Sequence, residues 1–123
     1  MSSKRDPRVY LWEAREAAAA VLRFARGRNF DDLLGDDLLR SAIERQLQIV
    51  GEALSQLSRV DAEIAGRIPH LRQIIAFHNI LVHGYASVDY ENVWKVIQKD
   101  VPDLAATLSS LLGPDDGPEE PRR

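Results

Sequence analysis

Four stretches of the chain place apolar residues at steps of three and four, and none alternates apolar and polar positions as a half-buried strand would. The first covers residues 6–26, where Tyr10, Ala14, Ala17, Val21 and Phe24 draw one stripe. Pro7 suits its first turn and Gly27 the position just past its end. The second begins at Asp36 or Asp37, after Gly35, and carries Leu39, Ile43, Leu47, Val50, Leu54 and Leu57. Gly51 interrupts it at about 1 kcal/mol relative to alanine, and a glycine inside a helix marks a place where another backbone comes close. A short amphipathic piece over 60–67 leads to Pro69, which is expected to open a third helix that ends at His83, before Gly84. On it Leu71, Ile74, His78 and Leu81 share one line, while Arg72, Ala76, Asn79 and His83 lie on the next. Ser87 or Asp89 caps a fourth helix reaching Leu112, with the stripe Val93, Ile97, Val101, Leu104, Leu108 and Leu111. Pro102 must kink or restart it, because proline removes a backbone donor. The pattern predicts an all-α, up-and-down bundle of four main helices.

With 123 residues and 45% hydrophobic content, the chain suffices for one domain, expected over residues 1–112. The remainder, 113–123, reads GPDDGPEEPRR and is too polar to bury a core, so a disordered acidic tail is expected there. There is no cysteine, which excludes a disulfide framework, a thiol nucleophile and thiolate-held zinc or iron–sulfur sites. No apolar run approaches the ~18–20 residues of a membrane span, and charge and Trp12 interrupt any signal-like segment near the start. The expectation is a soluble, cytoplasmic protein without a membrane partner. The formal net charge is −3, most of it in the tail, and the body has no basic stripe for duplex DNA.

All three histidines, His70, His78 and His83, fall on or beside the third helix. Imidazole transfers protons in both directions near neutrality. Chelation from one helix wants ligands four apart, whereas His78 and His83 are five apart and differ by about 140° around the axis, so no metal is expected. His83 closes an apolar run at a helix end and is the best candidate for a working group, although a histidine there is also favoured by the helix dipole alone. His78, between Phe77 and Ile80 on the apolar line, reads by spacing as a satisfied core or interface side chain rather than a working group. Glu52, beside Gly51, reads as a solvated carboxylate.

The pairing of SAIERQLQIVGEAL at 41–54 with LRQIIAFHNILVHGYASVDYENVWKVIQKDVPDL at 71–104 resembles the HepT-like branch of the HEPN superfamily. The resemblance rests on the GEA element and the N-x-x-x-H-x-Y element and extends over residues 8–112. It implies a small all-α homodimer that acts as a metal-independent, cofactor-free ribonuclease toxin, beside a minimal nucleotidyltransferase antitoxin. Residue by residue, it makes His83 the catalytic histidine, Asn79 the polar motif residue and Tyr85 the acceptor for AMP transferred by the antitoxin. The family's arginine position is occupied by His78.

That departure bears on the chemistry. Metal-free RNA cleavage needs a base for the 2′-hydroxyl proton and a cation for the charge that develops on phosphorus. Arginine supplies a permanent, two-pronged cation, and losing such a donor commonly costs ~10²–10³ in rate. Arg72 lies about 16 Å along the helix from His83 and cannot replace it within one chain. Two expectations follow: His78 joins His83 in catalysis, or the chain is a weakened or inactive partner of a nucleotidyltransferase.

Overall fold

The computed structural model describes residues 5–84 and 88–114, and every regular element among them is helical. Helix α1 spans Pro7–Ala25. Asp6 caps it by accepting from the Arg8 N–H at 2.9 Å, Pro7 sits in its first turn, and Gly27 follows its end with φ +73°. Helix α3, Asp37–Val60, is capped by Asp36, whose carboxylate accepts from the Leu39 N–H at 3.0 Å. All six apolar residues expected on its stripe are buried. These two helices pack along each other, with Leu11, Ala14, Ala18 and Val21 facing Ile43, Leu54 and Leu57 in one core. The small α1 residues let the helix axes approach closely.

Two short helices lie outside the four-helix expectation. Helix α2, Phe30–Gly35, is set by a reciprocal cap in which Asn29 and Asp32 each accept the other's backbone N–H. This satisfies two orphan donors at once. Helix α4, Ala62–Ala65, falls within the short amphipathic piece at 60–67 and starts at Asp61, which ends α3 and caps α4.

Helix α5 spans Leu71–His83. Pro69 does not open it: His70 does, in the left-handed conformation (φ 62°) and with no side-chain cap. The left-handed His70 breaks the helical path, so Pro69 falls in the turn that precedes the helix. Of the two caps expected, Asp89 caps α6, Tyr90–Lys95, by accepting from the Glu91 and Asn92 N–H groups; Ser87 lies outside the described residues. A π-helical turn, Val96–Asp100, then leads to α7, Val101–Leu112, with Pro102 in its first turn. The Val101 N–H reaches back five residues to the Val96 carbonyl. The wider turn carries the chain past the ring, which would clash with the carbonyl four residues before it. Val93, Ile97, Val101, Leu104 and Leu108 all reach the core, joined at the end by Leu112 rather than Leu111.

Helix α7 and the π turn pack on α1, whereas among the described elements α5 makes its substantial contacts with α3 alone. A groove of about 610 Å³ therefore remains between α5 and residues 92–107, floored by Leu47, Val50, Ile74, Phe77, Val96 and Leu104. Among the described residues no helix is long and apolar enough to cross a membrane. Of the expected acidic tail, 115–123 lie outside the described residues.

Candidate active site

The sequence of α5 divides its surface between a neighbour and solvent. Leu71, Ile74, Phe77, His78 and Leu81 are half-buried toward the core, while Asn79, Ile80 and His83 are exposed. The inward line meets α3 at Gly51. A Cβ built on Gly51 would lie 2.2 Å from the His78 Cβ, 2.3 Å from its Cγ and 2.6 Å from its Cδ2. Only glycine admits so close an approach, which accounts for a helix-weakening residue in the middle of α3.

His78 is wedged into this contact. Its Nε2 is buried and has no hydrogen-bond partner among the described residues, and its Nδ1 lies 3.2 Å from Oδ1 of Asn79. Asn79 and His83, one turn apart on α5, line a shallow surface depression together with Ile80 and Gly84. Residues at this spacing are neighbours on a helix surface. His83 occupies the last turn, where the helix dipole favours a cation. Gly84 closes the helix by donating to the Ile80 carbonyl at 2.6 Å, and a Cβ there would meet that oxygen at 2.5 Å.

Of the four residues singled out from sequence, the structure thus brings Asn79 and His83 to one surface and places His78 beneath it, against α3. Tyr85 lies outside the described residues. Among the described residues no group of three or more histidine or carboxylate side chains is arranged to hold a metal ion. Glu52 is exposed and pairs with Arg45 at 3.5 Å.

Residues 14–111 match the family described as Ribonuclease HepT-like. The chain belongs to the HepT-like ribonuclease family. Among curated relatives, the protein named "Probable ribonuclease HepT" of Thermococcus cleftensis is 31% identical over 108 residues, covering 88% of this chain and 97% of the relative. The "Putative RNase MJ1380" of Methanocaldococcus jannaschii is 30% identical over 102 residues, covering 83% and 93%. The "Putative RNase TTE0752" of Caldanaerobacter subterraneus is 29% identical over 108 residues, covering 88% and 96%. No solved structure matches at a significant level.

The span matched to the HepT-like family runs from α1 to the last turn of α7 and includes Gly51, His78, Asn79 and His83. It also includes a group that the sequence reading missed. The Tyr90 hydroxyl donates to the Glu44 carboxylate, and the Arg40 guanidinium lies 5.7 Å from the centre of the Tyr90 ring. Arg40 in turn donates to the Leu33 and Leu34 carbonyls, at 3.2 and 2.6 Å, and to Asp37. The hydrogen bond to Glu44, burial and the carboxylate charge push the Tyr90 hydroxyl above its ordinary value of 10.0. This brace ties α6 to α3 just after the segment that follows His83. Arg40 and Glu44, four apart on α3, were visible as a pair, but nothing local joins them to Tyr90.

Proposed function

We propose that this HepT-like protein is a metal-independent endoribonuclease, the toxin of a toxin–antitoxin pair, with His83 as its acid–base group. The observation that carries the reading is the exposed pairing of His83 with Asn79 at the end of α5, within a chain of a ribonuclease family. In the reaction an imidazole takes the 2′-hydroxyl proton and O2′ attacks the adjacent phosphorus. The P–O5′ bond breaks, and the departing O5′ receives a proton, leaving a 2′,3′-cyclic phosphate and a 5′-hydroxyl. The Asn79 amide supplies hydrogen bonds to the phosphate oxygens, in place of the stronger charged donor that arginine would provide at position 78.

The working form in this reading is a homodimer. Every other main helix contributes fully buried residues, whereas α5 contributes none, and Ile80 is 49% exposed beside the two polar residues. A helix this apolar calls for a cover on its open side. A second copy placed there brings two His83 side chains toward one cleft, giving one imidazole as base and one as acid. Silencing follows from the family resemblance: the Tyr85 hydroxyl attacks the α-phosphorus of ATP held by the nucleotidyltransferase antitoxin, and pyrophosphate leaves.

The test is RNA cleavage in EDTA by the wild-type protein beside His83→Ala and His78→Arg. Cleavage by wild type and not by His83→Ala supports the enzyme. Cleavage by His78→Arg alone supports the second reading, favoured by the missing motif arginine, of a disarmed partner of the nucleotidyltransferase. If nothing cuts RNA, the enzyme reading fails.

A further inference from the structure

His78 stands where the motif expects a cation, yet its ring is not placed to meet a substrate. One edge is pressed into the gap left by the missing side chain of Gly51, and Nε2 is buried with no hydrogen-bond partner among the described residues. Among the described residues only Nδ1 has a hydrogen-bonding neighbour, and that neighbour is Asn79 Oδ1. With the Asn79 oxygen as acceptor, a hydrogen bond here requires the proton on Nδ1 and leaves Nε2 its lone pair. Asn79 itself is exposed and lines the depression that holds His83, whereas His78 does not.

From this arrangement we infer that His78 is a positioning residue: its Nδ1–H fixes the Asn79 side chain so that the Asn79 amide N–H groups face the phosphate beside His83. An amide is planar, with its acceptor on one side and its two donors on the other. Holding the oxygen inward sets the direction of the donors. A free exposed asparagine would sample several rotamers and lose part of that preorganisation. The inference rests on the ribonuclease reading for what the donors meet, and on the structure alone for the hydrogen bond.

Two measurements test it. A long-range 1H–15N spectrum of the labelled full-length protein at pH about 9, where ordinary imidazoles are neutral, is expected to show His78 protonated on Nδ1. A His78 protonated on Nε2 overturns the inference whether or not the protein cuts RNA. Cleavage kinetics then compare His78→Asn, whose amide nitrogen falls where Nδ1 stood, with His78→Leu, which has no donor. His78→Asn is expected to stay within about threefold of wild-type kcat/KM and His78→Leu to fall about tenfold, less than the ~10²–10³ lost when a donor is removed outright. In an Asn79→Ala background the two are expected to be equal, because neighbours acting through one another are non-additive. An undiminished His78→Leu effect in that background, or a His78→Asn as slow as His78→Leu, overturns the inference. If His78→Leu does not fold, the spectrum and His78→Asn still decide. A wild type that cleaves nothing overturns the ribonuclease reading, and the tautomer separately decides the hydrogen bond.

Discussion

The Cβ of His78 occupies the place where Gly51 would carry a side chain, 2.2 Å from where that Cβ would stand. The contact involves the stem of residue 78, which every residue but glycine possesses. The glycine is therefore required by the approach of α5 to α3, independently of which side chain follows that stem. The same approach sets how far Asn79 and His83 stand from the core, so one position on α3 controls the depth of the candidate site.

Gly51→Ala is expected to destabilise the protein by about 1–3 kcal/mol, as overpacking does, despite the ~1 kcal/mol of helix propensity that alanine adds. Urea unfolding measures it. Glu52→Ala, next in sequence and exposed, is the control, with an effect within about 0.5 kcal/mol. Equal stability of the two variants would show that α5 does not lie against Gly51.

His83→Ala is expected to leave the fold unchanged and to reduce RNA cleavage by ~10²–10⁴, the range for a lost acid–base group. His83 is exposed and at a helix end, so its removal costs at most ~1 kcal/mol of dipole interaction. Circular dichroism and cleavage assays on the same sample separate the two effects. Loss of helix content in this variant would remove the argument for a chemical role.

Tyr90→Phe removes the hydroxyl that donates to Glu44 and is expected to cost about 1 kcal/mol near neutrality. The folded protein holds the Tyr90 proton more tightly than the unfolded chain does, since the hydroxyl is raised above 10.0 by Glu44 and burial. Its contribution is fully present below pH 10 and lost as pH rises through the folded value. The unfolding free energy of wild type is therefore expected to fall more steeply above pH 10 than that of Tyr90→Phe. Parallel alkaline curves would mean that the hydroxyl does not donate to Glu44.

Ile80→Asp places a charge on the exposed apolar surface of α5 without touching the core. Light scattering after size-exclusion chromatography is expected to show a dimer for wild type. For the variant it should show dimerisation weakened by at least about 1.4 kcal/mol, a tenfold rise in Kd. Cleavage should fall with the dimer fraction. A variant that remains fully dimeric at low concentration would place the interface elsewhere.

Much of the framework was legible as periodicity. The α3 stripe is buried at all six expected positions, and Gly51 is where α5 comes close. Pro102 restarts the last helix, and Gly27 follows the first. What escaped the reading is non-local or too short for a period. The six-residue α2 depends on the Asn29–Asp32 cap, and the start of α5 depends on one left-handed residue, His70. The Tyr90–Glu44 bond joins residues 46 positions apart. At the site, spacing put Asn79 and His83 on one line, as found. It also put His78 on the apolar line, but only the fold shows that this ring has one nitrogen buried and the other turned to Asn79.

The π-helical turn at Val96–Asp100 makes the last helical stretch a place where a one-residue change in length keeps the buried stripe in register. A π turn is an α-helix holding one surplus residue, so the ladder before it and the ladder after it are each regular. Deleting one of its exposed residues, such as Gln98 or Lys99, would return the turn to α geometry, at the cost of pressing the Pro102 ring toward the carbonyl four residues before it. Val93 on one side and Leu104 and Leu108 on the other would keep their core-facing directions, because the surplus is what the wider turn absorbs. The same deletion within α1 or α3 would swing every later residue of that helix by about 100° and turn its buried stripe toward water. A one-residue deletion in this turn is thus expected to cost the proline contact, and one within α1 or α3 the whole buried stripe.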